Sequence, residues 1–305
     1  MGPTASGKTA LAVKIAQHLP CEIISVDSAM VYRGLDIGTA KPDKKILAEI
    51  PHHLLNIRNL DERYSAGDFR RDAIQAINAI RQRGKIPLLV GGSMLYFHVL
   101  QHGLAHLPGR NSAIRQSLQQ EANTKGWPAL HQLLQTIDAQ AAAAIHPNDG
   151  SRIQRAIEVY AVSGHSLSTW QQQQLANQAY HFYNVVLAPS ERAILHQSIA
   201  QRFYEMLEQG LLAEVMALYQ HHTPDLAALL SKIINYREVW SYVAGSCSLE
   251  TMQQRAIIAT RQFAKHQLTW LRRYDKAQWF ASEAQDTTAT VLRYLTALVV
   301  EQAIN

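Results

Sequence analysis

Cysteine and charge are both scarce in this chain. Two cysteines, Cys21 and Cys247, among 305 residues are too few and too far apart for a disulfide framework or a zinc site, and read as two reduced thiols. Charged residues make up 17% of the sequence against 47% hydrophobic, a balance too apolar for a disordered chain. The length suffices for one large domain or two smaller ones. No run of about 18 uncharged apolar residues occurs, which argues against a membrane-spanning helix. A basic, apolar, small-residue leader is also lacking, so the expected location is the cytoplasm. Neither a fixed-period repeat nor a long heptad seam is present, and a monomer is expected. The formal charge of +5 is compatible with an acidic partner without requiring one.

A strand is missing as well. Residues 2–9 read GPTASGKT directly after Met1, followed by an apolar helical pattern through Leu11, Ile15 and Leu19. In P-loop proteins a buried strand launches this turn. Here none stands before it: either the chain as given starts downstream of its natural start, or the sheet lacks what is usually a central strand.

The segments that follow have the pattern of an α/β fold. Glu22 to Val26 is short, apolar and β-branched and ends in Asp27-Ser28, which predicts a strand with polar residues at its carboxyl end. An amphipathic helix is expected over Ala66 to Arg83, stopped by Gly84. Lys85 to Val90 is a second buried strand leading into Gly91-Gly92-Ser93 and a further helix. Repetition of strand, turn and helix predicts a P-loop NTPase-like parallel sheet flanked by helices. From Pro108 to about Ala179 the pattern is helical and rich in Gln, including Gln171 to Gln174, which predicts an inserted helical domain. His181 to Leu187 then reads as a strand returning to the sheet. After Pro189, with Ser190 as an N-cap, mainly helices are expected. The expected division is a core over 1–107, a helical insertion over 108–180, and the rest of the core over 181–305.

GPTASGKT fits the pattern G-x-x-x-x-G-K-[ST] at every defined position. Backbone N–H groups freed of side chains at Gly2 and Gly7 wrap an anion at a helix amino end, where the helix dipole also favours negative charge. The set expected to bind a di- or triphosphate is therefore Gly2, Pro3, Thr4, Ala5, Ser6, Gly7, Lys8 and Thr9. Lys8 offers a point charge to the terminal phosphates and Thr9 a hydroxyl to Mg²⁺. Ligands of open α/β sheets gather beyond the carboxyl ends of the strands, so this loop, Asp27-Ser28 and Gly91-Gly92-Ser93 are expected to meet in one crevice. Position alone leaves Asp27 as an acid/base group, a Mg²⁺ ligand or a cap, and leaves Ser93 as a reactive-site hydroxyl or a helix cap.

Positive charge concentrates in two places. Arg255, Arg261, Lys265, Arg272, Arg273 and Lys276 read as one helical stretch interleaved with Phe263, Trp270, Tyr274 and Trp279. Such a stretch is a solvated face unless something else calls for a polyanion. Arg152 and Arg155, three apart in the insertion, suit a phosphate backbone or a kinase-like lid. The pairs His52-His53 and His221-His222 are not read as metal sites, because adjacent side chains point apart.

The chain resembles the bacterial-type tRNA dimethylallyltransferases (tRNA isopentenyltransferases). The resemblance rests on GPTASGKT (2–9), ISVDSAMVYRGLDIGTAKP (24–42), PHHLL (51–55), YSAGDFRRDA (64–73), PLLVGGSMLYF (87–97), HPNDGSRIQRAIEVY (146–160), NYREVW (235–240) and TRQFAKHQLTWLRR (260–273), in family order over nearly the whole chain. It implies transfer of a dimethylallyl group from dimethylallyl diphosphate to N6 of the adenosine 3′ of the anticodon in tRNA, releasing pyrophosphate with Mg²⁺ as cofactor. On that implication Asp27, Ser93 and Lys8 are catalytic, with Asp27 the general base. Lys232 joins the diphosphate set. Asp27, Ser28, Ala29, Met30, Arg152, Ile153, Gln154, Arg155, Arg237, Arg261 and Lys265 contact a tRNA anticodon loop whose target base is flipped. Three positions depart from the family pattern: Ser93 stands for Thr, Asn235 for Gly and Lys232 for Arg. Asn is the least costly replacement if position 235 needs a positive φ. The alternatives are a P-loop kinase of a nucleoside or small metabolite, and a catalytically impaired tRNA-binding relative.

Overall fold

The computed structural model describes residues 1–105, 107–172, 180–221 and 223–304, the last four as backbone. Gln173, Gln174, Ala179 and His222, named above, lie outside the described residues. The chain divides into two compact units, Met1–His98 with His181–Asn305, and Val99–Tyr180.

In chain order, the glycine loop runs into α1 (Lys8–His18), followed by β1 (Cys21–Val26), α2 (Lys44–Glu49), β2 (His52–His53), α3 (Ala66–Gln82), β3 (Ile86–Gly91) and α4 (Met94–His102). The three strands form a parallel sheet in the order β2-β1-β3, with Cys21 opposite Ile86 and Val26 opposite Gly91. β1 is buried throughout, as a near-continuous apolar run in a parallel sheet should be. Its one charge, Glu22, is held by Arg83 at 2.7 Å, His53 at 2.7 Å and Lys85 at 3.2 Å. The hydrogen bonds from Arg83 are the chief reason its carboxyl falls to about 2. Helix α3 starts on a reciprocal capping box between Ser65 and Asp68, and Gly84, at φ 70°, follows its end as expected.

The inserted unit contains α5 (Ser112–Lys125), α6 (Trp127–Ile137), α7 (Ala139–Ala144), α8 (Gly150–Ser163) and α9 (Leu167–Gln172), and no strand among its described residues. Its core joins Leu118, Leu130, Leu134, Ile153, Ala156 and Ile157.

The return segment is β4 (Val185–Ala188), then α10 (Arg192–Glu208), α11 (Leu211–Gln220), α12 (Pro224–Leu230), α13 (Tyr236–Val243), α14 (Leu249–Leu271), β5 (Gln278–Ala281) and α15 (Thr287–Ile304). Three expectations are corrected here. The strand is shorter than His181 to Leu187 and pairs in parallel with the unforeseen β5 in a separate two-stranded sheet. Ser190 does not cap α10: its backbone N–H and Oγ both donate to Glu283, and Glu191 takes the cap position. The basic stretch is not one helix, since α14 ends at Leu271 and leaves Arg273 and Lys276 beyond it. Met1, directly before the glycine loop, bonds to β4, its ammonium donating to Val185 O at 2.7 Å and its carbonyl accepting from Leu187 N at 2.9 Å. Burial, and next the charge of Lys8, lower that ammonium to about 5.

Candidate active site

The glycine loop is shaped by close approach and by positive φ. A Cβ on Gly2 would stand 2.2 Å from Leu187 O, which forbids any side chain there. Ala5 and Gly7 have φ of 61° and 76°, and α1 begins at Lys8. Lys8 Nζ donates to Pro3 O. Its ammonium is lowered to about 7, chiefly by burial and then by the guanidinium of Arg202, with Asp27 opposing both. Arg202, on α10, is itself lowered by burial. Two cations and one carboxylate thus share a desolvated space, an arrangement that a bound polyanion would relax.

That space is a cleft of about 680 Å³. Thr4, Lys8, Thr9, Asp27, Gly91 and Gly92 line it, so the three loop ends do meet. Arg202, His52, Thr39 and Gln267 add polar groups, and Ala12, Ile23, Met30, Leu55, Val90 and Phe263 add an apolar wall. Asp27 is fixed by its own turn: Oδ1 accepts from Ala29 N at 2.8 Å and Met30 N at 3.2 Å. Ser93 Oγ accepts from Ser28 N at 3.1 Å. Its side chain therefore braces the Asp27 turn.

A second brace holds the segment that brings Thr39 and Pro42 to the cleft. The Glu214 carboxylate, on α11, accepts from the successive backbone N–H groups of Asp36 (3.1 Å), Ile37 (2.9 Å) and Gly38 (3.3 Å), and from Tyr236 OH at 2.5 Å. Lys41 ties the same segment to Tyr32 O and Asn56 Oδ1. Asn235 has φ 74° and ψ −51°, so this position does need a positive φ, and its Nδ2 donates to Gly38 O at 3.0 Å.

Not all expected residues gather here. Lys232 is exposed and is not among the residues that line the cleft; the second cation beside Lys8 is Arg202. Arg237 is paired with Glu238. Arg261 lies on α14 with Nε buried and without a partner among the described residues, while Lys265 on the same helix is exposed. In the inserted unit Ile153 is fully buried in the core, so its side chain is corrected from a tRNA contact to a packing residue. Gln154 donates to Arg115 O. Arg155 bonds to Glu158 and to Pro108 O, both at 2.8 Å. Arg152 is 66% exposed beside Asp149 at 3.4 Å. His52 Nδ1 bonds to Ile50 O and burial lowers its pKa; no group of three metal-ligating side chains exists among the described residues.

A model of the IPP transferase family matches residues 30–274. The chain belongs to this family. Among its relatives, the tRNA dimethylallyltransferase of Coxiella burnetii (strain CbuG_Q212) is 50% identical over 97% of this chain and 98% of the relative, and that of strain RSA 493 is 50% identical over 97% and 95%. Among solved structures, the full-length tRNA isopentenylpyrophosphate transferase of Bacillus halodurans superposes with TM-score 0.71 at 34% identity, covering 99% of this chain and 96% of that one. A eukaryotic dimethylallyltransferase acting on tRNA gives 0.78 at 26% identity, over 95% and 75%. The chain shares the α/β fold of these structures, a small parallel sheet flanked by helices. No helix among the described residues is long and apolar enough to cross a membrane.

Sequence reading missed Arg202, Gln267 and Glu214. For Gln267 the signal was the string TRQFAKHQLTWLRR; the other two carry no local mark, because the groups that bring them to the cleft, Lys8 and Asp27 for Arg202 and Asp36 to Gly38 for Glu214, lie more than 170 residues away in sequence.

Proposed function

We propose that this member of the IPP transferase family transfers a dimethylallyl group from dimethylallyl diphosphate to N6 of the adenosine 3′ of the anticodon in tRNA. The observation that carries the reading is the mixed cleft lining, in which two cations stand beside an apolar wall. An allylic diphosphate needs both: charge for its leaving group, and a water-excluding wall for its hydrocarbon. A nucleoside kinase needs the first, not a wall of this composition.

In the reaction the allylic C–O bond breaks and its electron pair leaves with pyrophosphate. The adenosine N6 lone pair forms the new C–N bond, and one N6 proton is lost. The Asp27 turn occupies Oδ1 and leaves Oδ2 as the oxygen that holds the amine and takes its proton. Lys8, Arg202 and the N–H groups of the glycine loop carry the charge that develops on the leaving oxygen. Because an aromatic exocyclic amine is a poor nucleophile, holding it against the allylic carbon supplies much of the rate. Mg²⁺ suits the site: the Thr9 hydroxyl that follows Lys8 lines the cleft, and in P-loop sites that hydroxyl would hold Mg²⁺ together with phosphate oxygens and water. When bound it would neutralise phosphate charge. Arg152 and Lys265, both exposed, belong to the proposed tRNA-contacting set.

The test is incubation with Mg²⁺, unmodified tRNA and labelled dimethylallyl diphosphate. Label in tRNA is expected, with Asp27→Asn lowering the rate about 10²-fold or more while tRNA affinity holds. ATP consumption with a small acceptor and no prenyl transfer would replace this reading with a kinase.

A further inference from the structure

Two segments of the cleft converge on one side-chain amide. Gln267, on α14, is 4% exposed. Its Oε1 accepts from Thr4 N in the glycine loop at 2.8 Å, and its Nε2 donates to Gly92 O, just past β3, at 2.9 Å. The next residue, Ser93, accepts from Ser28 N, and Ser28 follows Asp27. Thr4, Gln267, Gly92, Ser93, Ser28 and Asp27 thus form one continuous relay between the diphosphate loop and the proposed base. Every member except Gln267 comes from a strand-end or glycine loop.

The chemistry at this position is narrow. Thr4 presents a donor and Gly92 an acceptor, so the group between them must accept on one side and donate on the other. An amide does both in one plane. A carboxylate offers two acceptors, and a thioether offers no donor. A Cβ on Gly92 would stand 2.3 Å from Nε2, so glycine is what admits the amide to the carbonyl. The bond also engages the Thr4 N–H, which leaves the later N–H groups of the loop for phosphate.

We infer that Gln267 is a positioning residue for prenyl transfer: acting through Thr4 and Gly92, it fixes the diphosphate loop at its working distance from the Ser93-braced Asp27 turn. The inference rests on the diphosphate reading of the loop. A displacement of about 1 Å between reacting groups is enough to cost on the order of 10²-fold in rate.

The test compares Gln267→Met and Gln267→Glu with the wild-type protein at pH 8 and pH 6, by pyrophosphate titration, single-turnover transfer and thermal melting. Gln267→Met should weaken pyrophosphate binding and slow transfer, each by about tenfold or more at both pH values, with tRNA affinity unchanged. Gln267→Glu should be worse than Met at pH 8, where a carboxylate faces Gly92 O. Burial raises the pKa of such a carboxyl, and once protonated it can donate to Gly92 O while accepting from Thr4 N. Its transfer rate relative to wild type should therefore recover at least about fivefold on going to pH 6, whereas the Met ratio stays flat. A purely structural role would not produce that selective recovery. A Glu ratio that ignores pH, or a Met variant that binds and transfers like wild type, overturns the inference. If the Met variant does not fold, the pH response of the Glu variant decides alone. Pyrophosphate binding by the wild-type protein without prenyl transfer would defeat the proposed reaction and leave the titration arm as the test of Gln267; no binding at all would defeat both.

Discussion

Replacing Glu158 by Gln in the inserted unit should cost about 3 kcal/mol of stability at pH 7. Glu158 is fully buried on α8. It accepts from Arg115 at 2.8 and 3.0 Å, from Arg155 at 2.8 Å and from Asn111 N at 2.8 Å. The two guanidiniums are only 28% and 26% exposed. Burial alone would raise this carboxyl, but the bonds from Arg115 and Arg155 outweigh it and bring the pKa from 4.5 to about 2. At about 1.4 kcal/mol per pH unit, that difference is a linkage of about 3 kcal/mol. Removing one member of a buried ion pair costs about 3–5 kcal/mol by a separate route, so the two magnitudes agree. The sign follows from a depressed carboxyl: the stabilisation is complete above pH 4.5 and is lost as pH falls toward 2. Urea unfolding of wild type and Glu158→Gln should therefore differ by about 3 kcal/mol at pH 7, with the gap narrowing below pH 4.5 as the wild type weakens. A difference under about 1 kcal/mol at pH 7, or one that does not change with acid, would refute the argument.

Three further outcomes are expected. Because Lys8 is held near 7, diphosphate binding at pH 8 should draw a proton onto it, and this uptake should fade toward pH 6. Calorimetry in buffers of different ionisation heat reads the uptake, and none at pH 8 would contradict the assignment. Arg152→Ala should reduce the slope of log tRNA affinity against log salt by about one. Arg155→Ala should leave that slope alone and lower the melting temperature instead. Asn235→Gly should change stability by less than about 1 kcal/mol, because relief of its positive φ offsets the lost bond to Gly38 O; a loss above about 2 kcal/mol on urea unfolding would show that the side chain matters more than the backbone.

The parts legible in the sequence are those whose chemistry is local. The loop from Gly2 to Thr9 announces itself because an anion at a helix end dictates glycine, lysine and hydroxyl at fixed spacing. Helix α3 is readable because Ser65 and Gly84 stop it at both ends. The ion pairs of Arg155 were not legible for a physical reason: three-residue spacing puts it near Arg152, but its partner Glu158 is shared with Arg115, 43 residues before Glu158. Arg202 escaped notice because an arginine inside an amphipathic helix looks the same whether it faces water or a cleft. Residues 278–281 were hidden among helices, since a four-residue strand paired with β4 has no periodicity of its own to show.

The Glu214 brace bears on how tightly substrate can be held. Three consecutive backbone N–H groups, at Asp36, Ile37 and Gly38, are already ordered around its carboxylate, and the segment carries Thr39 to the cleft wall. Fixing a residue's backbone costs about 1–2 kcal/mol of conformational entropy. For these three residues that cost, on the order of 3–6 kcal/mol, is met when the protein folds. The substrates proposed for the cleft therefore meet a segment whose backbone is already ordered, and their contacts can go toward affinity and alignment instead of toward ordering it.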